Sequence, residues 1–224
     1  MNPLVIKLII YLSNFIAVLI ALPCHEFAHA FVAVRNGDDT PKYSGRYTLN
    51  PLAHFDPLGL VMMIVLRFGW AKPVPVNPYN FRSYKKGIIT VSLAGVVINI
   101  LLAFLFCPIA MLAGRITLVD DWTKYLRVFA YYLPLSIFYL NVGLFVFNLL
   151  PLYPLDGFRL YDALATRKGK VYFILRNYSL YILIGILLLG WIADYTGIYW
   201  LDVIGVLRDW AAYPIQLFWG LFIR

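Results

Sequence analysis

Residues 4–34 read LVIKLIIYLSNFIAVLIALPCHEFAHAFVAV, an apolar run whose only charge before the polar string His25-Glu26-Phe27-Ala28-His29 near its end is Lys7. At 1.5 Å of rise per residue, about 20 apolar residues cross the hydrocarbon of a bilayer, so the run is long enough to span. Its start is almost uncharged and no small-x-small cleavage site precedes Cys24, so it reads as a retained helix rather than a removable leader. The helix is expected to bend at Pro23 and to stop at Arg35, Asn36 and Gly37. Three ionisable side chains within five residues of a membrane helix need partners, because an unpaired charge in hydrocarbon costs several kcal/mol.

The composition of the whole chain agrees with a membrane fold: of 224 residues 62% are hydrophobic and 13% charged, and mean hydropathy is +0.77. A soluble domain is about half apolar and a quarter charged, so a water-soluble globule and a disordered chain are both excluded. Gly87–Ala113, Val128–Tyr153 and Asn177–Ala193 carry no charge, and the last run, Leu201–Ile223, is interrupted by Arg208 and Asp209. The expectation is an all-α polytopic membrane protein with five to six transmembrane helices. Between the first and second full spans, prolines 41, 51, 57, 73, 75 and 78 break the chain, and the continuous apolar piece Leu58–Phe68 is too short to cross. That region is expected to be a re-entrant or short β-containing segment, buried in protein or lining a wet cavity. No repeat or linker is visible, so residues 1–224 form a single domain, with a core over 1–165 and C-terminal helices over 171–224.

Net charge is +8. The basic residues lie in short connections between apolar runs, which points to membrane orientation and the lipid bilayer rather than to nucleic acid as a partner. Arg35–Lys86 holds eight Lys or Arg, Gly157–Lys170 four and Gly114–Lys124 two, so the first two connections are expected in the cytoplasm. The run Arg167-Lys168-Gly169-Lys170 reads as a cytoplasmic anchor, and Trp70, Trp122, Trp191, Trp200 and Trp210 fall near the ends of apolar runs, as interfacial belts do. Cys24 and Cys107 both lie inside apolar runs and provide neither a disulfide framework nor a four-cysteine metal site.

Glu26 is the only glutamate, and His25, His29 and His54 are the only histidines. With residues this rare, a His-Glu-x-x-His string arises by chance with odds on the order of one in several thousand. On a helix, His25 and His29 project from one face and reach a single zinc at about 2.0–2.1 Å, while Glu26, one position on, is placed to move a proton. Catalytic zinc requires a third protein ligand. His54, Asp56, Asp156 and Asp162 are the candidates. Asp156 stands out because it closes Asn148-Leu149-Leu150-Pro151-Leu152-Tyr153-Pro154-Leu155-Asp156-Gly157 at the end of a span, where two prolines disturb the helix and Gly157 permits a tight turn. The alternative is an ordinary turn between a helix and a basic loop.

These two motifs together resemble the site-2 protease family of intramembrane zinc metalloproteases. Phe68-Gly69-Trp70-Ala71-Lys72-Pro73-Val74-Pro75-Val76-Asn77 and Leu49-Asn50-Pro51-Leu52-Ala53-His54-Phe55-Asp56-Pro57 are similar to its compact prokaryotic branch. The likeness covers about residues 21–160. It implies one Zn2+ per chain held by His25, His29 and Asp156, with Glu26 as general base and acid and Asn148 as a donor to the substrate carbonyl or its oxyanion. It further implies a multi-pass protein of a prokaryotic cell membrane, its active site toward the cytoplasm, that cleaves single-span membrane protein substrates in regulated intramembrane proteolysis. The chain departs from the family's usual Ala-Gly-Pro-x-x-Asn, carrying Ala94-Gly95-Val96-Val97-Ile98-Asn99, which changes a local bend and removes no ligand. His54 and Asp56 are candidates to line the site; His54 alternatively touches the metal in a resting state or bonds Asp56 in a structural loop, and Asn99 either supports the site or bonds another helix.

Two other readings compete. An ion or metal transporter would need polar groups along a path through several spans, whereas these cluster at one end. An inactive protease-like, helix-binding membrane protein would be expected to carry a damaged motif, and both motifs are intact. Within the protease reading, the alternation of Pro73–Asn77 suggests that this segment adds edge to edge to an unwound substrate.

Overall fold

The computed structural model describes residues 2–59, 69, 71–116 and 121–223. Helix α1 (Pro3–Arg35) is capped by the Asn2 side chain, which accepts from the Leu4 N–H at 2.9 Å, and runs unbroken through the buried Pro23. It ends where Gly37 takes φ 107°, a left-handed conformation that glycine adopts without strain. Short helices α2 (Thr40–Tyr43) and α3 (Pro51–His54) follow in the proline-rich region, and then come α4 (Tyr84–Arg115) and α5 (Asp121–Leu149). The chain closes with α6 (Asp156–Leu164), α7 (Lys170–Asn177), α8 (Ser179–Thr196) and α9 (Val203–Gly220).

Helices α1, α4 and α5 pack against one another as the central layer. The buried face of α4 is a stripe at four-residue spacing, Gly87, Val91, Gly95, Asn99, Ala103 and Cys107, and α1 presents Ala17, Ala21, Ala30 and Ala33. Small residues let helix backbones approach closely, which drives association where lipid is as apolar as the protein. Ala103 and Cys107 continue into a cluster with Phe138 and Val142 of α5 and Ala212 and Ile215 of α9. The opposite faces are apolar and exposed, as at Leu8, Leu12 and Phe15 on α1 and Leu101, Leu105 and Leu112 on α4, a surface suited to lipid.

Four helices are long and apolar enough to cross a bilayer: α1, α4, α5 from Thr123 onward, and α8. The expected five to six spans are therefore four among the described residues. Helix α9, which carries Arg208 and Asp209, is not one of them, and Leu58–Phe68 lies outside the described residues from position 60 onward. Of the expected β-containing segment, the described residues show one antiparallel bridge, Phe55 with Ala71. Pro73 and Pro75 have no N–H to give a ladder and push the residues before them toward extended backbone, so Pro73–Asn77 runs without a strand partner among the described residues. The run read as Val128–Tyr153 ends instead at Leu149, because Pro151 and Pro154 cannot continue a helix.

Candidate metal centre

Asp156 opens α6 rather than closing a span. It is the first residue of that helix and is buried. Gly157 acts by close approach, not by a tight turn: its φ is not positive, and a Cβ there would stand 2.5 Å from the Leu150 carbonyl oxygen and still nearer that of Leu149. Without a side chain at 157, α6 folds back onto the end of α5 and carries Asp156 toward α1.

There, three donor atoms converge. Asp156 Oδ2 lies 3.3 Å from His25 Nε2 and 3.0 Å from His29 Nε2, and the two Nε2 atoms are 3.0 Å apart. The far side of each ring is engaged: His29 Nδ1 donates to the Val91 carbonyl at 2.7 Å and His25 Nδ1 to Asn99 Oδ1 at 3.2 Å. With the proton of each neutral imidazole at Nδ1, both Nε2 lone pairs face each other and the carboxylate. Asp156 Oδ2 is buried without a hydrogen-bond donor among the described residues. Three buried acceptors facing one point repel unless a cation sits among them. Ligands at about 2.0–2.1 Å around a tetrahedral zinc stand about 3.3 Å apart, so the triangle has the edge lengths of one face of a zinc site. Nδ1–H bonds to a carbonyl or amide oxygen are also the outer partners that orient ligating histidines.

Gly95 forms the floor of the centre, since a Cβ on it would lie 2.5 Å from His29 Nε2 and 2.7 Å from His25 Nδ1. Val91, Gly95 and Asn99 stand four residues apart on α4, so one ridge of that helix supplies the acceptor for one ring, the gap for both, and the acceptor for the other. This places Asn99 in support of the site. The valine at position 96 is buried inside an unbroken helix and leaves that ridge intact.

Glu26 is half-buried, and its Oε2 accepts from the Val74 N–H at 3.0 Å. Between the two prolines Val74 has the one backbone N–H, and it goes to this carboxylate. The loop is held in place by Asp38, a buried residue that the sequence reading missed. Asp38 Oδ2 accepts from the Asn77 N–H at 2.7 Å and its Oδ1 from Asn80 Nδ2 at 2.8 Å and Thr40 N at 3.1 Å. A carboxylate just past a helix end beside a positive-φ glycine was the available signal.

The other candidates are engaged elsewhere. His54 is fully buried and its Nε2 donates to the Thr48 carbonyl at 2.7 Å, while its own carbonyl accepts from Lys72 N. Asp56 caps the turn after it, accepting from the N–H groups of Leu58 and Gly59. The two do not bond each other, and neither joins the three converging donors. Asp162 pairs with Lys168 and the Tyr172 hydroxyl. Asn148 turns its amide nitrogen back to the Leu144 carbonyl at 3.0 Å, which leaves its second N–H available.

Comparison with known proteins bears on this centre. The model of peptidase family M50 matches residues 107–190, a stretch that includes Asp156. A Bacillus subtilis (strain 168) protein named "Putative zinc metalloprotease YwhC" is 43% identical over 152 residues, 66% of this chain and 67% of its own. A Mycobacterium tuberculosis (strain ATCC 25618 / H37Rv) protein named "Putative zinc metalloprotease Rip2" is 30% identical over 218 residues, 91% of this chain and 79% of its own. No solved structure matches the chain.

Proposed function

The chain belongs to peptidase family M50, the site-2 protease family, and from that premise we propose that it is an intramembrane endopeptidase that cleaves single-span membrane proteins in or near their transmembrane helices, as a step of regulated proteolysis. The observation that carries this reading is the convergence of His25 and His29 of the membrane-length helix α1 with Asp156 at the start of α6, with Glu26 beside them. When bound, zinc supplies Lewis-acid polarisation of a carbonyl and acidifies water.

The rest falls to the chain's own residues. Glu26 takes the proton of the attacking water and delivers it to the departing amine. Its bond to the Val74 N–H fixes which oxygen is free for that task. Asn148 donates its second N–H to the oxyanion as charge develops on the scissile carbonyl. The side chains of His25, His29 and Asp156 stay fixed throughout, held by Asn99, Val91 and the close contact at Gly157. A substrate helix has to unwind locally before its carbonyl is accessible, and Pro73–Asn77 provides an extended edge beside Glu26 for the unwound strand. The site faces the cytoplasm of a prokaryotic cell. This orientation is supported by the twelve basic residues in the two connections at the metal end against two at the other.

The test uses purified protein in liposomes with a panel of single-span substrates. Glu26→Gln is expected to keep one zinc per chain and to lower cleavage about 10²–10⁴-fold, the range for a removed general base. Normal cleavage by this variant would overturn the assignment.

A further inference from the structure

Helix α8 packs on α7, on α9 and on the turn between α8 and α9, and stands off from α1 and α5. The space left between them is a groove of about 1070 Å³. Its α1 wall is the row Ile10, Asn14, Val18 and Leu22, and one more four-residue step along that ridge is Glu26. Its α5 wall includes Ser136, Leu140 and Leu144, and the next step of that ridge is Asn148. Both walls thus lead from the middle of the membrane to the two residues assigned to proton transfer and oxyanion contact.

The other end of the groove is charged. Ser179 Oγ accepts from the Tyr153 N–H at 2.7 Å, which sets the start of α8 beside the turn that carries Asp156. Fifteen residues on, about 22 Å away at 1.5 Å per residue, α8 brings Asp194 to the groove. Asp202, Arg208 and Asp209 line the same end. Asp202 caps α9 through the Gly205 N–H, and Asp209 binds Arg208 and the Tyr199 hydroxyl. Asp194 is exposed and has no partner among the described residues, and the three carboxylates outnumber the single guanidinium.

Resting on the protease reading above, we propose that this groove seats the transmembrane helix of the substrate and that Asp194 selects helices with a Lys or Arg about 15 residues, some 22 Å of helix, from the scissile bond on the side remote from the metal. The apolar inner half accepts the helix without polar cost. The charged end sets register, because a basic side chain there gains a carboxylate and an acidic one meets like charge.

Two measurements test it. In the first, a photo-crosslinking residue replaces Leu188 in the Glu26→Gln protein, and a single-span helix with Lys at the stated position is added. Crosslinking is expected to fall at least 5-fold when that Lys becomes Glu and to return when Asp194→Lys is introduced. This readout needs no turnover, so it stands or falls apart from the protease assignment. In the second, the otherwise wild-type protein cleaves the same pair of substrates. The Glu substrate is expected to raise KM about 10-fold with kcat unchanged, and Asp194→Lys is expected to reverse the preference while an Ala substrate is cut as before. Equal capture of Lys and Glu helices, or a preference that Asp194→Lys leaves unchanged, would overturn the proposal. Capture with the stated preference but no cleavage by any protein would leave the docking role intact and remove the peptidase reading.

Discussion

Gly95 shows how narrow the tolerance is at the level of single residues. Its missing side chain is the space in which His25 and His29 stand, so Gly95→Ala puts a methyl carbon 2.5 Å from a donor nitrogen. Core overpacking of this kind costs about 1–3 kcal/mol, and here the strain falls directly on the ligands. Gly95→Ala is expected to reduce zinc content to well below one per chain while helicity by circular dichroism stays the same. Full zinc content in this variant would show that the two rings have room to move. The residue scale is also where sequence was most informative. His25, Glu26 and His29 were legible because their types are rare in this chain and their spacing matches a helical turn. Asn99 was visible as a polar residue in a span, but its bond to His25 was not, since nothing in the sequence states which helix α4 faces.

Among the elements, the described parts of the connection between α1 and α4 matter more to the site than their short helices suggest. Asp38 ties them to the end of α1, and the tie presents Val74 to Glu26. Burial pushes the Asp38 carboxyl up, but the Thr40 hydroxyl, the Asn80 amide and the N–H groups of Asn77 and Thr40 outweigh it and leave the carboxyl below its ordinary value. A group depressed in this way contributes stability above its unfolded value and loses it as pH falls through the folded one. Amide exchange at Asn77, corrected for intrinsic rates, is expected to stay protected down to the ordinary carboxylate value of about 4 and to open only in stronger acid. Asp38→Asn is expected to lose this protection at neutral pH as well, and equal protection in both proteins would refute the tie. Replacing residues 73–77 with Gly and Ser keeps an N–H at position 74 but removes the two prolines that hold the segment extended. Cleavage is expected to drop at least 10-fold with zinc retained, and unchanged cleavage would remove this segment from substrate binding. The sequence marked the region as irregular from its prolines. Among its described residues the β content is one bridge, because the same prolines that favour extended backbone remove the N–H groups a ladder needs.

Across the whole molecule, a metal held by His25, His29 and Asp156 would join α1 to α6. A ligand bound only by the folded state stabilises it by RT ln(1 + [L]/Kd), about 2.7 kcal/mol at 100 times Kd. Removing zinc with a chelator is expected to lower the thermal midpoint of the wild-type protein by several degrees and that of His25→Ala by much less. An equal response would mean that the metal is bound elsewhere.

Composition and periodicity by themselves determined that the chain is helical and membranous, and a five-residue string determined the two imidazoles and the carboxylate beside them. Those properties are local: hydrophobic run length sets a span, and four residues on a helix set a shared face. Which distant carboxylate completes the centre was narrowed by the motif around Asp156, but its selection over His54, Asp56 and Asp162 came from the fold, because only packing decides which helix ends meet. The placements of Gly95, Gly157, Val91, Asp38 and Val74 were decided at the same level. Each acts through a backbone atom, an absent side chain or a buried bond to a remote segment, and none of these leaves a mark in the order of residue types.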